Sequence, residues 1–109
     1  MNINLNSDGR ETILIIDDSP DNSNLLNRIL SDAGYKVNLA PSGKLGLKFI
    51  GSHLPDLILL DIMMPHFDGY TVCEQLKKSD KTENIPVIFI SALHDLFDQV
   101  KAFSMGGSD

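Results

Sequence analysis

Four short apolar runs punctuate the chain, and each is followed by a stretch whose apolar residues return at helical spacing. Ile13-Leu14-Ile15-Ile16, Leu57-Ile58-Leu59-Leu60 and Val87-Ile88-Phe89-Ile90 are unbroken, which predicts strands covered on both faces. The remaining run, 35–40, alternates Tyr35, Val37 and Leu39 with Lys36 and Asn38. Alternation predicts a strand covered on one face, or an edge.

The first strand is expected over about 12–17. Ser19-Pro20 then opens a helix, with Ser as cap and Pro at an early position where its missing N–H is harmless. Leu25, Leu26, Ile29, Leu30 and Ala33 fall on one face of it, and Gly34 ends it. A second helix starts near Ser42 and carries Leu45, Leu47, Phe49 and Ile50. A third, about 70–78, buries Val72, Cys73 and Leu76, and a last one, about 94–105, offers Leu96, Phe97, Val100 and Phe103 before a stop at Gly106-Gly107. The order βαβαβαβα predicts an α/β fold, a doubly wound parallel sheet with right-handed crossovers and helices on both faces. Ligands of such sheets bind beyond the carboxyl ends of the strands, where strand order reverses.

With 109 residues, 42% of them apolar, the chain is sized for one domain with a real core. Residues 1–11 read as a flexible leader ahead of a domain over 12–109, with neither the basic region nor the apolar stretch of a signal peptide. A net charge of -6 argues against nucleic acid as a direct partner, because its phosphates need a basic face. No run is long enough for membrane insertion. The single cysteine, Cys73, suits a cytoplasmic location and reads as a small core residue.

Chemistry concentrates where the strands end. Asp17-Asp18 closes the first apolar run and Asp61 the third. If those strands are parallel neighbours, three carboxylates meet within a few ångströms. Two like charges about 4 Å apart repel by roughly 4 kcal/mol at a semi-buried effective dielectric, so the arrangement implies a divalent cation. Taken alone, an Asp-Asp pair after a strand is more often turn and cap chemistry; a third acid at an equivalent strand end favours a site. Asp68-Gly69 reads as a turn, and Ser91 fits a helix cap as well as a signalling hydroxyl. His53, His66 and His94 lack ligand spacing and read as surface residues, while the Met63 and Met64 thioethers do not suit an oxygen-rich site.

The set Asp17-Asp18, Asp61, Met64-Pro65-x-x-Asp68-Gly69 and Ser91-Ala92 resembles the receiver domain of two-component response regulators, from about residue 12 to the last. The segments 55–69 and 85–93 resemble receivers that work with hybrid histidine kinases. The resemblance implies a flavodoxin-like receiver fold with strand order 2-1-3-4. It also implies that Asp61 accepts a phosphoryl group, using Mg²⁺, from the phosphohistidine of a histidine kinase or phosphotransfer protein. Asp17, Asp18, Asp61 and the backbone carbonyl of Met63 would hold the ion, with Pro65 and Asp68-Gly69 fixing the loop that carries that carbonyl, and Ser91 would donate its hydroxyl to the phosphoryl group. Such a domain is an acceptor, with at most weak autophosphatase activity, and not a turnover enzyme.

One departure stands out. Receivers carry a lysine at the end of a fifth strand, followed by a fifth helix, and both elements are expected to be absent here, since the sequence reaches Gly106-Gly107-Ser108-Asp109 where that strand would begin. The expectation is a C-terminal truncation with impaired transfer, and a homodimer, a swapped element or a weakly stable monomer at the exposed fourth strand. Three alternatives are a haloacid-dehalogenase-type phosphatase, which needs a second acid two residues after its nucleophile, a flavodoxin-type flavin module, which needs a Ser/Thr/Gly-rich phosphate loop, and a non-phosphorylated pseudo-receiver acting as an interaction module. Phosphate-ester turnover, a yellow protein, or absence of phosphorylation in a lengthened chain would select among them.

Overall fold

The computed structural model describes residues 9–64 and 68–90. Within them β1 (Thr12–Ile16), α1 (Pro20–Asp32), β2 (Lys36–Ala40), α2 (Gly43–Ile50), β3 (Leu57–Asp61), α3 (Gly69–Lys77) and β4 (Val87–Ile90) follow in the expected order. All strand pairs are parallel and the sheet runs β2-β1-β3-β4, the order the resemblance implied. Boundaries differ from expectation by a residue at most: β1 stops at Ile16, before Asp17, β2 starts at Lys36, and α3 covers Gly69–Lys77. Ser91, the last helix over 94–105 and the Gly106-Gly107 stop lie outside the described residues, as do Pro65, His66, His94 and most of the leader.

The helices begin and end where local chemistry dictates. Ser19 caps α1 by accepting the Asn22 N–H at 3.3 Å, with Pro20 in the first turn. At the other end Gly34 adopts φ 103°, while its N–H donates to Ser31 O and that of Tyr35 donates to Leu30 O. This paired closure satisfies carbonyls that a helix end leaves open, and only glycine takes the required backbone without strain. Ser42 caps α2, and Asp68 caps α3 by accepting from the Thr71 N–H at 2.9 Å and its hydroxyl at 3.0 Å.

Side chains alternate between the two faces of the central strands. Leu14, Ile16, Ile58, Leu60 and Val87 pack with Ile50 of α2 and Val72, Cys73 and Leu76 of α3, whereas Ile13, Ile15 and Leu59 meet Leu26 and Leu30 of α1. Cys73 is thus a core residue as expected, and burial pushes its thiol above the usual range. His53 is exposed, with its ring stacked on Phe49.

Two expectations need correction. On α1, Leu25 and Ile29 are 58% and 53% exposed, because the part of the face that meets the sheet is only as wide as Leu26 and Leu30. On β4 only Val87 is fully buried, and Ile88, Phe89 and Ile90 are half-buried, since among the described residues β4 pairs with β3 alone. The alternation read in β2 does mark an edge strand, with Leu39 42% exposed.

Candidate functional site

Parallel register carries the acidic residues together. Ile16 is the partner of Leu60, so the next residues, Asp17 and Asp61, leave the sheet side by side. One carboxylate oxygen from each of Asp17, Asp18 and Asp61 lies within 4.8 Å of the others. Asp17 and Asp61 are buried and Asp18 is exposed, which gives the cluster one open side.

Each carboxylate is oriented by the chain that follows its strand. Asp17 Oδ1 accepts the Ser19 N–H at 2.9 Å, the same residue that caps α1, so one short turn ends the strand, aims the acid and starts the helix. The Asp17 N–H donates to Ala40 O at 3.1 Å and keeps the turn on β2. Asp61 Oδ1 accepts the Met63 N–H at 3.2 Å. Met63 itself is 54% exposed beside the cluster, and Met64 is buried in the core.

Asp61 has its carboxyl pushed up from 3.8 to about 7, first by burial and then by the negative charge of Asp17, with a smaller push from Asp18; the Met63 N–H pulls the other way. Burial and like-charged neighbours together disfavour the ionised form, and a cation between the carboxylates would relieve both. The donor set is all carboxylate oxygen, which suits Mg²⁺ and does not suit soft metals.

A cleft of about 180 Å³ opens beside the cluster between the start of α1 and the end of β2, with Asp17, Asp18, Ser23, Asn24, Leu39 and Pro41 among its walls. Ser23 was not legible as a site neighbour in the sequence. It is a buried polar residue within the first two turns of α1, and its hydroxyl approaches Asp17 O at 3.5 Å. Its spacing, three positions after Pro20 and three before Leu26, is a signal that could have placed it on the covered face of the helix. The structure unites Asp17, Asp18 and Asp61 and sets Met63 next to them, whereas Ser91 is outside the described residues.

Residues 13–109 match the family described as response regulator receiver domain. The chain is 42% identical over 97 residues to the DNA-binding dual master transcriptional regulator RpaA of Synechocystis sp., covering 89% of this chain and 40% of that protein. It is equally 42% identical over 97 residues to the response regulator PleD of Caulobacter vibrioides, covering 89% of this chain and 21% of PleD. It therefore spans well under half the length of these curated relatives. Among solved structures, a putative response regulator from Chloroflexus aurantiacus aligns with TM-score 0.87 and 33% identity, covering 92% of this chain and 82% of that one. The signal receiver domain of a signal transduction histidine kinase from Syntrophus aciditrophicus aligns with TM-score 0.81 and 36% identity over 91% of this chain and 75% of the other. No helix among the described residues is long and apolar enough to cross a membrane.

Proposed function

This chain belongs to the response regulator receiver domain family of two-component signalling, and from that premise we propose that Asp61 is its phosphoryl acceptor, with Asp17 and Asp18 holding Mg²⁺ beside it. The observation that carries this reading is the cluster itself: three carboxylate oxygens within 4.8 Å, two of the residues buried, at the ends of adjacent strands. Membership of this family also sets aside the phosphatase and flavin alternatives.

Asp61 acts as a nucleophile. A carboxylate oxygen approaches phosphorus in line, an O–P bond forms, and the P–N bond of a phosphohistidine breaks with its electron pair leaving on the imidazole, so that an acyl phosphate remains on Asp61. The Met63 N–H fixes the carboxylate's orientation, so little rotamer freedom is lost at the moment of attack. Asp61 must be ionised to attack, a state that its buried, acidic surroundings disfavour and that a bound cation would favour. When bound, Mg²⁺ supplies positive charge that offsets the carboxylates and the oxygens of the transferring group. Asp18, exposed at the open side, and Asp17, held by Ser19, would be its ligands with Asp61, and the carbonyl of Met63, whose N–H already meets Asp61, would add a fourth protein oxygen. Ser91 is the hydroxyl donor to the phosphoryl group. A histidine kinase or phosphotransfer protein in the cytoplasm is the donor partner.

The test is chemical. Incubation with Mg²⁺ and a small phosphodonor such as acetyl phosphate, followed by peptide mapping, should find base-labile, acid-stable phosphate on the peptide containing Asp61. Phosphorylation persisting unchanged in Asp61→Asn would assign the acceptor elsewhere.

A further inference from the structure

Among the described residues, Gly69 is the glycine whose surroundings include the backbone of Asp61. It is the first residue of α3, it is buried, and its φ is not in the left-handed region, so it is not there as a turn glycine. What it lacks is a side chain where none fits. A Cβ at this position would overlap the Asp61 carbonyl oxygen and stand 2.8 Å from Ile62 Cα and 3.0 Å from the Asp61 carbonyl carbon. All three are backbone atoms, which cannot swing aside as the end of a side chain can. The Gly69 N–H meanwhile donates to Ile62 O at 2.9 Å. The first turn of α3 therefore lies flush against the peptide that carries Asp61.

We infer that Gly69 is a positioning residue for Asp61: the bare Cα of α3 is the backstop that sets how far the Asp61–Ile62 segment sits from Asp17 and Asp18, and so sets the Mg²⁺ affinity of the cluster. This rests on the reading of Asp61 as acceptor and ligand. The physical case turns on which side would yield to an added methyl. α3 is anchored by Val72, Cys73 and Leu76 in the core, by the Tyr70 ring tilted against Phe89 at 5.9 Å, and by the Asp68 cap. At the end of β3 the Ile62 side chain is buried, but the backbone pairing is slack, the Ile62 N–H reaching Ile90 O only at 3.4 Å. The strand end gives way, and the carboxylate travels with it. Because Asp61 Oδ1 is tied to the Met63 N–H of the same segment, the carboxylate cannot stay behind while the backbone shifts.

The experiment compares the wild-type chain with Gly69→Ala, Asp56→Ala and Asp61→Asn, reading Mg²⁺ affinity by calorimetry, thermal stability, and the amide shifts of Asp61, Ile62 and Met63. Gly69→Ala should weaken Mg²⁺ binding by about tenfold or more, as expected for ligand displacement on the ångström scale, and move those three amide resonances in the metal-free protein. Asp56→Ala, which loosens the far end of β3 without adding bulk against Asp61, should lower stability and leave Mg²⁺ affinity within about a factor of two. An equal loss of Mg²⁺ binding there would overturn the inference, because general loosening would then explain both. Gly69→Ala binding Mg²⁺ like wild type would overturn the inference alone. Asp61→Asn binding Mg²⁺ like wild type would overturn the reading beneath it. If Gly69→Ala unfolds, the titrations are repeated for all chains in trimethylamine N-oxide, which favours compact states. Weakened Mg²⁺ binding by the refolded variant supports the inference, and failure to regain a fold there overturns it, because the glycine would then serve the fold and not the site.

Discussion

Two aspartates frame β3 and contribute in opposite senses. Asp56, just ahead of the strand, is exposed; its carboxylate accepts the Thr12 N–H at 2.8 Å, and its own N–H donates to Thr12 O at 2.8 Å. It stitches the start of β1 to β3. Asp61, at the other end of the same strand, is buried beside Asp17 and Asp18 and receives one backbone N–H in return. The two sides of one strand pair thus use one residue type for cohesion and for stored repulsion. What decides the sign is the neighbours: a backbone donor rewards a negative charge, and two carboxylates penalise it until a cation arrives.

The contrast breaks most visibly at Asp61. Asp61→Asn should abolish acyl-phosphate formation and weaken Mg²⁺ binding by about a hundredfold, yet raise metal-free stability at pH 8 by about 1–3 kcal/mol, the scale of like charges within 4.8 Å of one another. Urea titration with and without Mg²⁺ reads both effects, and a destabilised Asp61→Asn would remove the stored repulsion.

The next effect is in pH. Asp61 binds its proton more tightly folded than unfolded, so its contribution to metal-free stability is full below the ordinary value of 3.8 and is lost as pH rises to about 7. Mg²⁺ competes with that proton, and its affinity should fall by about tenfold per pH unit below about 7. At pH 8, Mg²⁺ at a hundredfold excess over its Kd should restore about 2.7 kcal/mol. Denaturant midpoints across pH 5–8 check the sign, and metal-free stability that climbs over that range in wild type relative to Asp61→Asn would contradict it.

A smaller effect belongs to the other aspartate. Asp56→Ala should cost about 1–2 kcal/mol by leaving the buried Thr12 N–H without this acceptor, with Mg²⁺ affinity unchanged. Smallest of all, Ser19→Ala should cost about 1 kcal/mol through the lost cap of α1. It should spare the metal site, because Asp17 is held by the Ser19 backbone and not its hydroxyl. Loss of Mg²⁺ binding in Asp56→Ala would mean the two ends of β3 are coupled, against the comparison, and loss in Ser19→Ala would mean the cap as well as the Ser19 N–H holds Asp17 in place.

Much of this molecule is written in local pattern. Unbroken apolar runs marked β1 and β3 as interior strands, Ser19-Pro20 and Ser42 marked helix starts, and the acids after two such runs marked the cluster, because strand burial, capping and charge are each properties of a few adjacent residues. Three points were not written there. Leu25 and Ile29 share a helical face with Leu26 and Leu30, but how wide a stripe is covered depends on what lies against the helix. Ser23 is polar, and only packing under Asp17 makes it a site neighbour.

Gly69 is the clearest case. In sequence, Asp68-Gly69 looks like a turn, and the Asp does cap a helix as local chemistry demands. The glycine's reason is seven or eight residues back, in the backbone of Asp61 and Ile62, and a steric requirement between two segments brought together by folding leaves no periodicity to read. By itself the sequence determined the elements, their order and the identity of the acids, since these follow from short-range hydrophobicity, capping and charge. Tertiary structure alone decided the distances between those acids, the burial that lifts Asp61 toward neutrality, and which surface holds it there, because each depends on how elements distant in the chain pack together.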